Sequence, residues 1–278
     1  MKPRPHPSTL RPDPRSVKPR ADVRSGGQVG TLTAVSSLWI CLPTYNEAEN
    51  LERMVRALGA ERADHDLDLT VLVIDDGSPD GTGQIADGLA EELDWVRVLH
   101  RTSKDGLGKA YLAGFQVALD AGADLIMEMD CDFSHDPKDV HRLVEASTSA
   151  DLVIGSRNVP GGGVVGWPWY RNLISKGGSF YARTILRLPV RDMTAGFKLF
   201  RREVLETLDL SGIEASGYMF QIELKYRTVK AGFRVHEVPV KFVDREFGES
   251  KMSSSIVVEA VWRVWKLRLR RLPPVAGR

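Results

Sequence analysis

The order of apolar and helical segments constrains the fold of this chain more than any other feature. Short apolar runs are each followed by a helical pattern, at residues 38–42, 69–74, 95–100, 124–130 and 151–157. The run 69–74 is almost continuously apolar, which is typical of a strand buried on both faces of a parallel sheet. Strands that alternate with helices predict a right-handed, doubly wound α/β sheet that is mostly parallel.

Polar clusters follow four of these predicted strands, at residues 44–47, 75–78, 130–135 and 156–158. In doubly wound sheets, ligands bind beyond the carboxyl ends of the parallel strands. The clusters should therefore meet at one edge of the sheet and form an active site.

The most specific cluster contains Asp130 and Asp132 at the end of a buried strand. Side chains alternate along a strand, so these carboxylates should project on the same side. Two converging carboxylates repel unless a cation lies between them, and oxygen ligands with open positions suit Mg²⁺ or Mn²⁺. Ser134 is a possible further ligand, and His135 is either functional or a turn residue. A solvated strand end is the alternative interpretation of the pair.

Two other clusters are typical of nucleotide contacts and of ordinary turns alike. Asp75 and Asp76 follow a strand, where a carboxylate can bind a base or ribose, but Asp and Gly also stabilise Asx-turns. Tyr45 can pack on a base and Glu47 can accept from a sugar hydroxyl, or the segment is simply a helix start with an acidic first turn. Pro43 is expected to end the strand before it, and Asn46 or Glu47 to open the helix. No P-loop and no dinucleotide-binding glycine motif is present, so kinase-like and dehydrogenase-like nucleotide sites are not expected.

The charge distribution predicts three regions. The formal net charge is +1, which gives no reason to expect nucleic acid as a partner. Residues 1–36 are predicted to be a disordered, basic, Pro-rich tail, 37–252 the catalytic domain, and 253–278 a basic amphipathic helix and tail. No apolar run of about 18 residues occurs, so no spanning helix is expected, and basic ends favour an anionic membrane surface. The two cysteines are expected to be buried thiols of a cytoplasmic protein.

Two segments rich in tryptophan have open interpretations. The helix predicted within residues 253–278 combines apolar positions with Trp262, Trp265 and several Arg or Lys, so it either lies among lipid headgroups or docks on the domain. The segment 163–170 carries Trp167 and Trp169, which either enter lipid or pack on the sheet.

The sequence resembles the dolichyl/polyprenyl-phosphate mannosyltransferases, members of the inverting GT-A glycosyltransferases, from about residue 38 to residue 252. The motifs that carry the resemblance are LPTYNEAENL, VIDDGSPDGTG, GLGKAYLAGF, MDCDFSHDP, GSR, DMTAGFKLF, GYMFQIEL and EVPVKFVDREFGESKM. The first two mark only the wider superfamily, whereas VDREFGESK together with GYMFQ is specific to the polyprenyl-phosphate branch.

This resemblance implies a set of site residues. A GDP-mannose site is implied at Pro43, Tyr45, Glu47, Ile74, Asp76, Asp130, Cys131, Asp132, Arg157, Arg245 and Lys251. Metal ligands are implied at Asp130 and Asp132, with Ser134 where the third ligand is often Gln. Arg157, Arg171 and Ser175 are implied to receive the acceptor phosphate and, with Asp132, to be catalytic.

The implied reaction is transfer of mannose from GDP-mannose to a polyprenyl monophosphate, with inversion. The enzyme is expected to be peripheral at the cytosolic face of the membrane, with or without a separate membrane-anchoring subunit. Arg157 and Arg171 suit phosphate because guanidinium groups bind it in a bidentate manner, although each could instead form a surface ion pair. The alternatives are a glucosyltransferase that uses UDP-glucose and a non-catalytic nucleotide-sugar-binding protein.

Overall fold

The computed structural model describes residues 36–213, 217–244 and 254–270, with side chains of the last segment described from residue 262. A seven-stranded sheet has the order β3-β2-β1-β4-β7-β5-β8, and β6 pairs with β9 in a small second sheet. The strands are β1 (Leu38–Thr44), β2 (Leu69–Asp75), β3 (Val96–His100), β4 (Leu125–Glu128), β5 (Leu152–Ser156), β6 (Gly163–Val165), β7 (Lys198–Arg201), β8 (Val235–Pro239) and β9 (Lys241–Val243).

Helices cover both faces of the large sheet. They are α1 (Leu51–Asp64), α2 (Thr82–Glu92), α3 (Leu107–Asp120), α4 (Val140–Ala146), α5 (Trp169–Leu186), α6 (Arg202–Thr207), α7 (Gly217–Lys230) and α8 (Ser254–Leu269). One hydrophobic cluster joins the sheet to α1, α2 and α4, and the other joins it to α3, α5, α6, α7 and α8. The strands contribute alternate residues to the two clusters, as in any sheet covered on both faces.

The prediction of a mostly parallel α/β sheet is confirmed. Within the large sheet only β7 runs against its neighbours, β4 and β5. The chain passes from β1 outwards to β2 and β3 and then returns to β4 on the other side of β1. This reversal of strand order between β1 and β4 is the position at which such sheets form a binding crevice.

Two predicted boundaries were wrong. Pro43 does not end β1, which continues to Thr44. Strand β1 pairs with β4 only as far as Cys41, so at Pro43 it is hydrogen-bonded to β2 alone. Proline is tolerated where a strand has an unpaired side. Helix α1 begins at Leu51 rather than at residue 46 or 47, since Asn46 has a positive φ of 60° that a helix cannot include.

Helix α8 docks on the domain and exposes aromatic residues at the same time. It packs against α5 and α7, with Val264 and Leu267 buried in the hydrophobic core. Trp262 and Leu269 are 74% and 78% exposed. Among the described residues, no helix combines the length and the hydrophobicity needed to cross a bilayer. Cys41 and Cys131 are buried free thiols.

Candidate active site

A cavity of about 530 Å³ lies at the edge of the sheet where the parallel strands end. The segments that follow β1, β2, β4 and β5 line it, together with the segment before antiparallel β7, which starts at the same edge. The structure thus brings together these predicted site residues: Pro43, Tyr45, Glu47, Asp76, Asp130, Cys131, Asp132, Arg157 and Arg171.

Asp130 and Asp132 converge for a different reason from the one predicted. Strand β4 ends at Glu128, so both aspartates lie in the turn beyond it and strand alternation does not orient them. Phe133, with a positive φ of 59°, reverses the chain just after them. Both carboxylates line the cavity nonetheless.

Hydroxyl groups orient both carboxylates. The hydroxyl of Tyr111 donates to Oδ1 of Asp130 at 3.2 Å. The hydroxyl and the backbone N–H of Ser134 donate to Oδ1 of Asp132 at 2.5 and 3.1 Å. Two fixed carboxylates facing one cavity form an oxygen-only donor set, which fits Mg²⁺ or Mn²⁺.

His135 supports this turn as a neutral ring. The backbone N–H of Asp130 donates to its Nδ1 at 3.1 Å, and the ring stacks on Phe197 with centroids 4.9 Å apart. Burial lowers the pKa of His135, although the nearby aspartates oppose this effect. Of the two interpretations of His135, the structure supports the turn residue, with the ring also lining the cavity.

Basic residues accompany the predicted nucleotide-contacting side chains, which follow β1 and β2 on one side of β4. Arg101 pairs with Asp76, and the ammonium group of Lys104 lies 3.4 Å from the centre of the Tyr45 ring. Burial raises the pKa of Asp76, and the guanidinium of Arg101 opposes this rise. The sequence interpretation missed both basic residues, because the motif GLGKAYLAGF begins only after them, at Gly106.

Arg157 follows β5, on the opposite side of β4 from β1 and β2, and Arg171 lies near it, since both guanidinium groups lie over the Trp167 ring. Both arginines are paired with aspartates. Arg157 donates from Nε and Nη2 to the fully buried Asp192, at 2.8 and 2.7 Å, so its ion pair is not the surface pair considered from the sequence. Arg171 donates from Nη1 to Asp244 at 2.9 Å and stacks on the ring of Trp167 at 4.0 Å.

Two buried donors in this region lack an acceptor. Within the described part of the chain, Nε of Arg171 and Nε1 of Trp167 are buried without a hydrogen-bond partner. A buried donor left unsatisfied costs about 1–3 kcal/mol, so native structures normally supply a partner. Both residues also line the cavity, so these donors lie in side chains that border it. The Trp167 ring packs edge-to-face on Phe242 of β9, with centroids 5.2 Å apart, so of the two interpretations of Trp167 the structure supports packing on a sheet, and the residue lines the cavity as well.

A buried ionic network lies beneath the cavity floor. The ammonium of Lys198 is 3.0 Å from Glu128 across β7 and β4, and both side chains are fully buried. Gln221, which lines the cavity, donates to Glu128 at 2.9 Å. Burial lowers the pKa of Lys198, against the attraction of Glu128. In the sequence, the only sign of this network is a charged residue inside each of two apolar segments, Glu128 and Lys198.

The remaining predicted residues lie elsewhere. Ile74 is fully buried in the core, and Ser134 lies behind Asp132 and is 1% exposed. Ser175 is half-buried on α5 and does not line the cavity. Arg245 and Lys251 lie outside the described residues. The roles assigned to these residues stay predictions.

A second group of potential metal ligands, Glu61, His65 and His141, lies outside this cavity. The two imidazole rings stack at 3.9 Å with an angle of 13° between their planes. An ion in the plane of one ring would lie well outside the plane of the other, so this arrangement does not suit chelation by both histidines. The carboxylate pair at the sheet edge is the better candidate.

Comparison with known proteins identifies close relatives. Residues 39–209 match the model of glycosyl transferase family 2. Undecaprenyl-phosphate mannosyltransferase from Micrococcus luteus is 51% identical over 231 residues, covering 82% of this chain and 93% of the relative. Polyprenol monophosphomannose synthase from Mycolicibacterium smegmatis is 46% identical over 260 residues, covering 92% of this chain and 96% of the relative.

Solved structures share the fold. Glucosyl-3-phosphoglycerate synthase from Mycobacterium tuberculosis, in complex with Mn²⁺, UDP and phosphoglyceric acid, superposes with a TM-score of 0.60 at 20% identity, covering 88% of this chain and 83% of that chain. Its complex with Mg²⁺ and UDP also gives a TM-score of 0.60 at 20% identity, with 88% and 84% coverage.

Proposed function

The chain belongs to glycosyl transferase family 2 and to its polyprenyl-phosphate mannosyltransferases, and from this premise we propose that it transfers mannose from GDP-mannose to a polyprenyl monophosphate. The observation that carries the proposal is that one cavity is lined both by a pair of carboxylates and by arginine side chains. Asp130 and Asp132 bring two carboxylates to it, which suits a divalent cation, and Arg171 and Trp167, which each have a buried N–H without an acceptor among the described residues, bring a cation and a polar ring to it.

The donor lies, in this proposal, between the carboxylate pair and the end of the cavity that holds Tyr45 and Asp76. The leaving nucleoside diphosphate gains negative charge as the glycosidic bond breaks. Asp130 and Asp132 would hold Mg²⁺ or Mn²⁺, which would supply Lewis-acid stabilisation of that charge worth several kcal/mol. Bound Mn²⁺ or Mg²⁺ in the structures of the M. tuberculosis enzyme supports a divalent ion in this fold.

The acceptor phosphate lies at the opposite end, against Arg171 and Trp167. A phosphate monoester has a second pKa of about 6, so it is largely dianionic near pH 7 and attacks the anomeric carbon without a general base. The protein has only to gather and aim this anion, and a guanidinium held flat on Trp167 does so with little loss of side-chain freedom.

Inversion follows from this placement of donor and acceptor. The acceptor approaches from the arginine end, on the face of the sugar opposite the departing diphosphate. In-line displacement of this kind gives a β-linked mannosyl phosphate.

Membrane attachment is proposed to be peripheral and on the cytosolic side. Exposed aromatic residues on α5 and α8, including Trp169 and Trp262 at 78% and 74% exposure, support contact with lipid. Helix α5 also carries Arg171, so the exposed apolar side chains lie on the same helix as an acceptor-binding group.

Transfer of label is the direct test. Purified protein is incubated with a divalent salt, a short polyprenyl phosphate and either labelled GDP-mannose or labelled UDP-glucose. We expect label in the organic phase from GDP-mannose only, and none with Asp132→Asn. Label from UDP-glucose alone would replace the mannosyl proposal with the glucosyl one, and label from neither donor would favour a binding protein.

A further inference from the structure

A basic groove of about 520 Å³ lies beside the catalytic cavity, along α5. Lys176, Phe180 and Arg183 of α5 line one side, and Arg157 and Arg191 lie among its other lining residues. We call this feature the α5 groove. Arg157 lines both the α5 groove and the catalytic cavity, so the two adjoin.

The α5 groove is strongly cationic. It has four Arg or Lys residues and no Asp or Glu among its lining residues. Asp192 neutralises Arg157. The side chains of Lys176, Arg183 and Arg191 form no ion pair with any part of the chain that the structure describes, so their charges face the groove and solvent uncompensated.

The same face of α5 carries large exposed apolar side chains. Trp169, Leu173, Lys176, Phe180 and Arg183 follow one another at intervals of three or four residues, which places them in one stripe along the helix. Trp169, Leu173 and Phe180 are 78%, 63% and 67% exposed. Large apolar side chains interleaved with cations are typical of a helix that lies in the headgroup layer of a membrane.

Charge and hydrophobicity together identify the ligand. A soluble anion would be bound by the cations alone and would leave Phe180 and its apolar neighbours in water. A lipid with a phosphate headgroup engages both, because the phosphate meets Lys176, Arg183 and Arg191 while the acyl chains meet the apolar stripe.

We propose that the α5 groove binds the headgroup phosphate of an anionic phospholipid and thereby docks the mouth of the active site on the membrane. This inference rests on the proposed function, since a lipid-phosphate acceptor must reach the cavity from the bilayer. In addition to the lipid acceptor, which is a substrate, the protein would bind a second lipid that does not react.

Substrate-free binding to vesicles tests the groove alone. Wild type and Arg183→Gln/Arg191→Gln are sedimented with vesicles of pure phosphatidylcholine or of phosphatidylcholine with phosphatidylglycerol. Each cation near a charged surface changes the affinity about fivefold, so the double variant should bind anionic vesicles on the order of 25-fold more weakly. Phe180→Ala should weaken binding to both kinds of vesicle.

A matched control separates the groove from general charge. Arg97→Gln/Lys138→Gln removes two exposed cations outside the groove and should leave vesicle affinity within twofold of wild type. Equal losses in the two double variants, or no loss in Arg183→Gln/Arg191→Gln, would overturn the proposal. Saturable binding of inorganic phosphate that disappears in the groove variant would also overturn it, by identifying a soluble-anion site.

Transfer to a short acceptor in solution keeps this test independent of the proposed function. Arg183→Gln/Arg191→Gln should retain kcat/KM for that acceptor within twofold when vesicles are omitted. A raised KM for the acceptor with unchanged vesicle affinity would assign the groove to the acceptor instead. Failure of wild type to transfer mannose would reject the function and leave the vesicle result standing.

Discussion

Arg171 combines three features that suit a receptor for phosphate. Its guanidinium stacks on Trp167, Nη1 is held by Asp244, and Nε is buried without an acceptor within the described residues. The first two features fix the orientation of the guanidinium, and the third leaves one of its N–H donors without an acceptor.

Replacing Arg171 by Lys keeps the positive charge and removes Nε and the planar stack. We expect kcat/KM for the acceptor to fall about 10- to 100-fold, as for loss of one charge-assisted hydrogen bond worth roughly 1.5–3 kcal/mol. The KM for the donor should change little. Steady-state kinetics with a short polyprenyl phosphate measure both quantities. Arg234→Lys, at an exposed pair with Asp151, is the control, and equal effects on both substrates would contradict the assignment.

Tyr111 is the second residue whose role follows from one contact. It is fully buried between Phe115 and Phe220, with ring centroids 6.1 Å from each, and its hydroxyl reaches Asp130. Tyr111→Phe removes the hydroxyl and keeps the ring. Groups that orient metal ligands typically change metal affinity 10- to 100-fold, so the Mn²⁺ concentration for half-maximal activity should rise by about that factor.

A metal titration of transfer activity checks this prediction for Tyr111. Tyr170→Phe, at a residue 55% exposed, should leave the titration unchanged. An unaltered Mn²⁺ requirement in Tyr111→Phe would show that Asp130 needs no positioning by this hydroxyl.

At the scale of elements, helix α3 lies close against strands β1 and β2 at Gly114. A Cβ at Gly114 would lie 2.4 Å from Cδ1 of Ile74 and 3.0 Å from Sγ of Cys41. Ile74 and Cys41 lie near the ends of the two strands that lead into the site loops. Glycine at this position lets the helix lie directly on β1 and β2.

Gly114→Ala should therefore destabilise the protein by about 1–3 kcal/mol, as overpacking of a core does. Gly88→Ala is the matched control, since a Cβ at Gly88 of α2 meets nothing within 4 Å. The control should stabilise the protein by up to about 1 kcal/mol through helix propensity. Urea unfolding measures both changes, and similar values for the two variants would contradict the packing argument.

Sequence patterns predicted elements better than they predicted contacts. The apolar runs were sufficient for β1 to β5, because burial on both faces leaves a continuous apolar signal. The reversed direction of β7 depends on contacts distant in sequence. The pairing of Lys198 with Glu128 depends on the same register, so both were missed.

For the candidate site, the sequence predicted which residues come together better than it predicted how they are oriented. The polar clusters met at one edge as expected, because the ends of parallel strands lie together. The turn that orients Asp130 and Asp132 depends on Phe133 in a positive-φ conformation, and hydrophobic periodicity contains no signal for that. The predicted contribution of Arg245 and Lys251 lies outside the described residues and stays a prediction.

At the scale of the whole molecule, the buried pair of Arg157 and Asp192 links the site to stability in acid. Burial opposes ionisation of Asp192, but Arg157 overcomes this and lowers the pKa of Asp192 to about 2 from 3.8. A lowered pKa stabilises the fold above the unfolded-state pKa, about 3.9 for Asp, and the contribution is lost as the pH falls through the folded-state value.

Asp192→Asn removes this titration. The difference in free energy of unfolding between wild type and variant should be constant above about pH 5 and shrink by about 2 kcal/mol by about pH 2. Urea unfolding at several pH values across this range measures the difference. A difference that stays constant throughout would show that the pKa of Asp192 is not lowered.

The central claim is that Asp130 and Asp132 together hold a divalent ion against the donor diphosphate. Anomalous diffraction at the manganese edge, from crystals grown with Mn²⁺ and GDP, tests it most directly. We expect one peak at bonding distance, about 2.1 Å, from carboxylate oxygens of both aspartates and next to the diphosphate. A map in which the diphosphate is bound and no manganese lies beside these aspartates would contradict the account.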